Sequence, residues 1–266
     1  MTSSLEKYKI FAIKYAHHDR PARDNFLGGD PHDMNMPLDY FVWAIVGQNR
    51  TFLVDTGFDA EVANQRGRTI THAVARGLNA IGIAPQSIED VIVTHMHYDH
   101  AGNSDLFPNA RFHVQDLEMS FCTGRCMCHG VLSHPFHVED VKSMVGRVFA
   151  GRVVFHNGES TLAPGLSLHL VGGHTGGLQV VRIHTARGWV VLASDASHLY
   201  ANIEDGRPFP GIYNLADMLE GYRTVNRLAD SPAHVIPGHD PAVLEKYPSA
   251  NHETNGWIVR VDLEPR

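Results

Sequence analysis

The chain has 266 residues and a formal net charge of −7 at pH 7, with 43% hydrophobic and 19% charged residues. This length and apolar share suffice for a buried core and exclude a disordered chain, and the acidic balance argues against a broad basic face for nucleic acid. The count of 19 histidines stands apart, because imidazole is the commonest metal ligand and titrates near neutral pH.

The N-terminal segment is polar and mixed. The clearest apolar run, Phe41 to Val46, falls far short of the ~20 residues of a membrane span. A soluble, cytoplasmic protein is expected. Cys122, Cys126 and Cys128 are odd in number and crowded together, which suits reduced thiols better than a disulfide framework.

In chain order, Tyr8 to Ala16 alternates apolar and polar residues and predicts a strand. Residues 17–37, rich in Asp, Gly, Pro and His, predict a long loop. Strands at 38–46 and 50–54 flank the turn Gly47-Gln48-Asn49, and the second ends at Asp55-Thr56-Gly57. The spacing of Ile70, Ala73, Val74, Leu78 and Ile81 predicts a helix over 69–82. A short buried strand follows at Val91 to Thr94. Residues 111–114, 152–156, 166–171, 178–184 and 188–194 each read as strands, while 116–150 has no clear period. Leu215, Met218, Leu219, Tyr222, Val225 and Leu228 fall on one helix face, with Asn214 as its cap. A last strand covers 234–236. Many strands with a few helices predict two packed sheets covered by helices, in one domain over 1–266.

Chemistry concentrates directly after the strand at 91–94. His95, His97, Asp99 and His100 fall within six residues, so one short loop can aim two pairs of ligands at two neighbouring points. Imidazole nitrogen and carboxylate oxygen suit zinc, manganese or iron alike. His174, in Gly172-Gly173-His174-Thr175-Gly176-Gly177, lies at a turn between strands. Asp195 and His239 each end an apolar strand. Other histidines, His18, His113 and His156 among them, read as surface or hydrogen-bonded residues. Cys122, Cys126, Cys128 and His129 offer a Cys₃His reading against packing thiols in a lid, and the tight Cys-x-Cys spacing favours packing. Met34, Met36, Phe121, Met127 and Phe136 are candidates for apolar substrate walls, against a plain core role.

Together these pieces resemble the metallo-β-lactamase superfamily. The matching segments are Phe52-Leu53-Val54-Asp55-Thr56-Gly57, His95-Met96-His97-Tyr98-Asp99-His100-Ala101-Gly102, Gly173-His174-Thr175, Ser194-Asp195-Ala196-Ser197 and Pro237-Gly238-His239-Asp240. The resemblance implies an αββα sandwich, two mixed sheets flanked by helices. It implies two divalent metal ions per chain, with zinc first and iron, manganese or cobalt as alternatives. His95, His97 and His174 would hold one ion and Asp99, His100 and His239 the other. Asp195 would bridge both, together with a hydroxide, and Asp55 would orient the ligand loop from behind.

Within the superfamily, Asp195 sets the chain apart from the true β-lactamases. The segment after His239 is short for the helical domain of glyoxalase II, no Lys/Arg-rich arm suggests a ribonuclease, and His97 stands where flavodiiron proteins have Glu. The N-acyl homoserine lactonase branch is the remaining resemblance, with its pyridoxolactonase-like relatives. It implies a quorum-quenching type of hydrolase that opens a lactone ring by attack of the metal-bridging hydroxide, with Asp99 passing a proton to the leaving oxygen. Members commonly carry Tyr three positions after the bridging Asp. Here His198 stands there and Tyr200 lies two residues on, so His198 or Tyr200 would supply a hydrogen bond to the substrate. No Gly-x-Ser-x-Gly elbow is present. The alternatives are a thioesterase or other ester or amide hydrolase, a mononuclear iron sulfur-dioxygenase, and a non-catalytic binding protein. The expected partner is a small lactone or ester, with no nucleic acid and no membrane. A homodimer is compatible with the sequence.

Overall fold

The computed structural model of the protein describes residues 5–32 and 34–266. Residues 1–4 of the N-terminal segment and Asp33 of the loop at 17–37 lie outside the described residues. The first half of the chain forms strands β1 (Lys9–His18), β2 (Leu38–Val46) and β3 (Thr51–Val54), helix α1 (Ala60–Arg66), β4 (Thr69–Ile70), α2 (Val74–Ala80), β5 (Asp90–Ile92), α3 (Tyr98–Ala101), β6 (Arg111–Gln115), α4 (Asp116–Cys122) and α5 (Gly130–Ser133). It continues through α6 (Val138–Phe149), β7 (Val153–His156), β8 (Glu159–Ala163), β9 (Leu166–Leu170), β10 (Gln179–Thr185), β11 (Gly188–Ser194), α7 (Tyr200–Glu204), α8 (Leu215–Leu228), β12 (Val235–Pro237), α9 (Ala242–Lys246) and β13 (Ile258–Arg260).

Two mixed sheets result. The first runs β13-β1-β2-β3-β5-β6-β7, with β4 also pairing β1, and the second runs β12-β11-β10-β9-β8. β1, β2, β3 and β13 pair antiparallel, while β3-β5-β6-β7 are parallel. The period-2 alternation of the strands decides how the layers stack. Phe41, Trp43 and Ile45 of β2 and Phe52 and Val54 of β3 point inward. They meet Leu166, Leu168, Val181, Ile183, Val190 and Leu192 of the second sheet in the sandwich core. Their neighbours Val42, Ala44 and Leu53 point to the opposite face, where they pack with Val62, Leu78 and Met144 of α1, α2 and α6. Val180, Val191 and Ala193 on the outer face of the second sheet meet Val225 and Leu228 of α8. The architecture is the expected αββα sandwich.

The helix expected over 69–82 is shorter, and another precedes it. Asp59 caps α1 by accepting from Val62 N at 2.9 Å, and Gly67, at φ 63°, closes its C-terminus. Thr69 and Ile70 are then drawn into the sheet as β4, opposite His17 and Ala16, so only Val74–Ala80 winds into α2. Long-range pairing with β1 overrides the helical spacing of Ile70. β8 completes the second sheet although its sequence gives little alternation, and 116–150 forms three helices and a short 3-10 turn. On α8, Asn214 accepts from Ala216 N and Asp217 N as anticipated, yet Leu215 and Leu219 are exposed and Gly221 is buried instead.

Candidate metal centre

The parallel strands end at one rim of the sandwich, and side chains from β5, β11, β12 and the β9–β10 turn gather there. The loop after β5 carries His95 and His97, and α3 carries Asp99 and His100. Asp195 and His239 follow β11 and β12, and His174 stands in the turn from β9 to β10. Ligand atoms of His95, His97 and His174 lie within 4.8 Å of one another, as do those of His95, His100 and Asp195 and those of Asp99, His100 and His239. All seven side chains singled out in the sequence are thus brought together and are almost wholly buried.

Backbone strain and hydrogen bonds behind the ligands fix their orientation. Asp55, at the end of β3, has φ 61°, a sparsely populated region for a residue with a Cβ. Its Oδ1 accepts Thr94 N at 2.8 Å, and its Oδ2 accepts Thr94 Oγ1 at 2.9 Å and pairs with His100 Nδ1 at 2.8 Å. Thr56 N and Oγ1 both donate to the His100 carbonyl. His239 Nδ1 donates to Asp39 O at 3.0 Å, and His174 Nδ1 donates to Gly211 O. These bonds consume the Nδ1 protons. In the neutral form that a metal ligand requires, His100, His174 and His239 would therefore aim bare Nε2 lone pairs at the centre.

There these nitrogens meet carboxylate oxygens and other ring nitrogens. His100 Nε2 is buried without a hydrogen-bond partner and lies 3.3 Å from Asp195 Oδ1 and 3.4 Å from Asp99 Oδ2. His239 Nε2 lies 3.0 Å from Asp195 Oδ1, and His174 Nε2 lies 2.9 Å from His97 Nδ1, which is itself 3.1 Å from His95 Nε2. Acceptors facing acceptors in a buried space need a cation or protons between them. The donor set therefore fits divalent ions of the zinc type.

The electrostatics divide the imidazoles into two groups. Burial pushes the His95, His97 and His174 imidazoles below their ordinary value, toward the neutral form a ligand requires. Burial would lower His100 and His239 as well, but nearby carboxylates, Asp195 first, outweigh it and raise both. Burial would raise Asp195, and His239, His100 and His198 reverse this and hold it well below the carboxylate range.

His198 Nε2 bonds Asp195 Oδ2 at 2.9 Å, and its ring stacks on Phe209 with centroids 3.4 Å apart. Burial lowers its pKa to about 3, which favours the neutral ring. Its Nδ1 is buried without a partner. Tyr200 corrects an expectation. Its ring belongs to the sandwich core, with the Lys246 ammonium 4.1 Å from the ring centroid, and its side chain is absent from the lining of the pocket beside the cluster. Its backbone N–H, not its hydroxyl, makes the useful bond, donating to Asp240 Oδ2 at 2.8 Å.

Two lobes open beside the cluster and share His97 and His174. One, of about 150 Å³, is walled by Arg20, Tyr40, Arg68, His198 and Phe209. The other, of about 100 Å³, is apolar and includes Phe121, Val131, Leu132, Ile212 and Tyr213. Of the five apolar candidates, only Phe121 lines either lobe. Phe136 packs its ring on His97 at 4.5 Å, Met127 packs on the core, and Met34 is exposed. The cysteines form no metal cluster among the described residues, with Cys122 buried and Cys128 exposed.

Glu118 of α4 escaped the sequence reading. It is completely buried, and its Oε1 accepts Met96 N at 2.8 Å while Oε2 accepts Thr175 Oγ1 at 2.6 Å and Gly177 N at 3.0 Å. One carboxylate thus buckles the His95–His100 loop to the His174 turn. Two glycines of that turn are explained by close approach. A Cβ on Gly177 would sit 2.1 Å from Glu118 N, and one on Gly173, at φ +85°, would sit 2.5 Å from the Met218 backbone. A sequence signal for Glu118 existed, since it precedes buried Phe121 and Cys122 by three and four positions and so shares their helix face.

Comparisons with known proteins agree with this geometry. AiiA of Bacillus thuringiensis subsp. kurstaki, an N-acyl homoserine lactonase, is 26% identical over 193 residues, covering 67% of this chain and 71% of the relative. AiiB of Agrobacterium fabrum, of the same name, is 28% identical over 228 residues, covering 78% and 80%. A solved quorum-quenching N-acyl homoserine lactone lactonase aligns at TM-score 0.70 and 22% identity, over 89% of this chain and 93% of the other. AidC, a dizinc quorum-quenching lactonase, aligns at TM-score 0.68 and 16% identity, over 89% and 88%. The sequence profile of the metallo-beta-lactamase superfamily matches residues 36–239, from the loop before β2 to the last ligand candidate, and the chain belongs to that superfamily.

Proposed function

We propose that this enzyme is a metal-dependent hydrolase that opens the ring of a small lactone, with two divalent ions, zinc by preference, held by the seven residues of the centre. The observation that carries the reading is the gathering of seven buried imidazole and carboxylate side chains, in groups whose ligand atoms lie within 4.8 Å of one another, with His100 Nε2 buried and unpartnered among them. The names of the relatives supply the lactone. His95, His97 and His174 would hold one ion and Asp99, His100 and His239 the other, with Asp195 placed between the two groups. Ions bound there lower the pKa of water toward neutrality and polarise a carbonyl oxygen.

The protein's own groups do the rest. Asp99, on the wall of the pocket, holds the proton released from water on a carboxylate oxygen and returns it to the ring oxygen as the C–O bond breaks. His198 orients Asp195 through its Nε2 and, stacked on Phe209, closes one wall. The apolar lobe receives the substituent of the lactone. A pH-indicator screen of lactones, esters, thioesters and β-lactams, with metal analysis on the same sample, tests the reading. Lactone turnover with two ions per chain is expected. A preference for thioesters would overturn the substrate assignment, and one iron per chain with oxygen consumption on a persulfide would overturn the reaction.

A further inference from the structure

The larger lobe has a chemistry that a neutral lactone does not use. Two guanidinium groups, Arg20 and Arg68, share its wall with Asp99, Asp195 and His239. They arrive from different places, Arg20 from the loop after β1 and Arg68 from the residue before β4. Arg68 Nε donates to Tyr98 Oη at 3.1 Å, and its Nη1 donates to Arg66 O at 2.6 Å and lies 3.2 Å from His18 Nε2. Tyr98 Oη lies in turn 3.3 Å from Tyr40 Oη. Arg20 is held by the Asp24 carbonyl. Among the described residues, no carboxylate lies within 4 Å of either guanidinium, although the chain carries a net charge of −7. The carboxylates of the same pocket are committed to imidazoles.

Burial and the two guanidinium groups lower the pKa of His18 to about 4, so its ring is neutral and can accept from Arg68. That leaves Nδ1 as the protonated nitrogen, and it is buried without a partner. Two half-buried like charges with no carboxylate within 4 Å repel each other, and an anion between them removes that cost while gaining charge-assisted hydrogen bonds from the donors still free, Nη2 of Arg68 among them. A positive pocket on an acidic molecule also concentrates anions at its mouth.

We propose that Arg20 and Arg68 form a recognition site for a carboxylate carried by the substrate, so that the substrate class is an anionic lactone whose scissile carbonyl faces the His/Asp cluster. The proposal rests on the lactone-hydrolase reading and narrows it. The carboxylate lies toward β1 and β4, and any apolar substituent lies toward Phe121 and Tyr213 on the other side of His97 and His174.

The test uses the metal-loaded protein and two γ-lactones that differ in charge, 5-oxotetrahydrofuran-2-carboxylate and its carboxamide. The carboxylate is expected to have a kcat/KM about tenfold or more above the carboxamide, from one charge-assisted pair. Added salt should reduce the ratio. In Arg20→Gln and Arg68→Gln the ratio should fall toward one, chiefly through KM, and Arg68→Lys should recover part of it. Calorimetry with the ring-opened product, 2-hydroxyglutarate, provides a readout apart from turnover, and about tenfold weaker binding is expected in either Gln variant. Arg20→Gln keeps the test open if loss of the Tyr98 bond unfolds Arg68→Gln. Equal kcat/KM for the two lactones, or product binding indifferent to both arginines, would overturn the proposal and leave the hydrolase reading standing. Failure to open any lactone, with product binding still weakened in the Gln variants, would instead overturn the hydrolase reading and keep the carboxylate site.

Discussion

His198 and Tyr200 lie two residues apart, and the structure separates their roles. The His198 ring is in the pocket wall, bonded to Asp195 and stacked on Phe209, whereas the Tyr200 ring is in the sandwich core. His198→Phe keeps the stacking and removes the bond to Asp195. It should lower kcat/KM by about tenfold, the scale of losing a hydrogen bond to a charged group, while metal content holds. Loss of metal in this variant would instead give His198 a structural role, holding Asp195 in place for the metal. Tyr200→Phe deletes a buried hydroxyl that has no partner. Its removal should leave turnover within about twofold and should not lower stability, since an unsatisfied buried hydroxyl costs about 1–3 kcal/mol. A large loss of turnover in Tyr200→Phe would restore the catalytic role that its position in the sequence suggested.

At the level of elements, two carboxylates tie strands and loops together at opposite ends of the sandwich. Glu118 links α4 to the His95–His100 loop and to the His174 turn. Glu118→Ala strands two backbone N–H groups and a hydroxyl, so a loss of about 2–4 kcal/mol is expected in urea unfolding. Metal affinity should fall with it, because both ligand loops lose their common anchor. Asp90, at the start of β5, accepts from Arg50 at 2.5 Å and from Arg111 at 3.0 Å, and lies 3.0 Å from His113 Nε2. Burial alone would raise its pKa, but His113 and Arg50 outweigh this and hold it far below the carboxylate range. A folded pKa below the unfolded one means that the stabilisation is complete above the unfolded value, about 3.9, and fades as pH falls through the folded value. Asp90→Asn should therefore destabilise at pH 7 and flatten the acid limb of stability against pH. Urea midpoints from pH 7 to pH 3 that run parallel to those of the wild type would refute this. The helix face of Glu118 hinted at its burial, but the partners of Glu118 and Asp90 were not legible in the sequence, because tertiary contacts bring them in. The His95–His100 string was legible because four ligands within one loop need no tertiary knowledge. The helix over 69–82 was misread for the converse reason, since Thr69 and Ile70 answer to β1 and not to their neighbours in the chain.

For the whole molecule, the centre draws its candidate ligands from both sheets. His95, His97, Asp99 and His100 follow β5 of the first sheet, while His174, Asp195 and His239 follow strands of the second. That convergence came from the resemblance of five separated motifs, since no local pattern could join residues so far apart in sequence. Arg20 and Arg68 belong to no such motif and emerged only when the pocket was assembled. Ions held by ligands from both sheets oppose the separation of the sheets, and any species bound only by the folded state stabilises it by mass action. Stripping the protein with dipicolinate should therefore lower Tm by about 5–10 °C, the scale of a few kcal/mol in a chain of this size. Exchange of backbone amides should rise first in the loop after β5 and in the His174 turn, where lone pairs and carboxylates are left facing each other. Adding zinc back should restore Tm and lactone turnover together. An unchanged Tm after metal analysis confirms complete removal would mean that the two sheets are held by the sandwich core alone, and that the seven side chains do not clasp them.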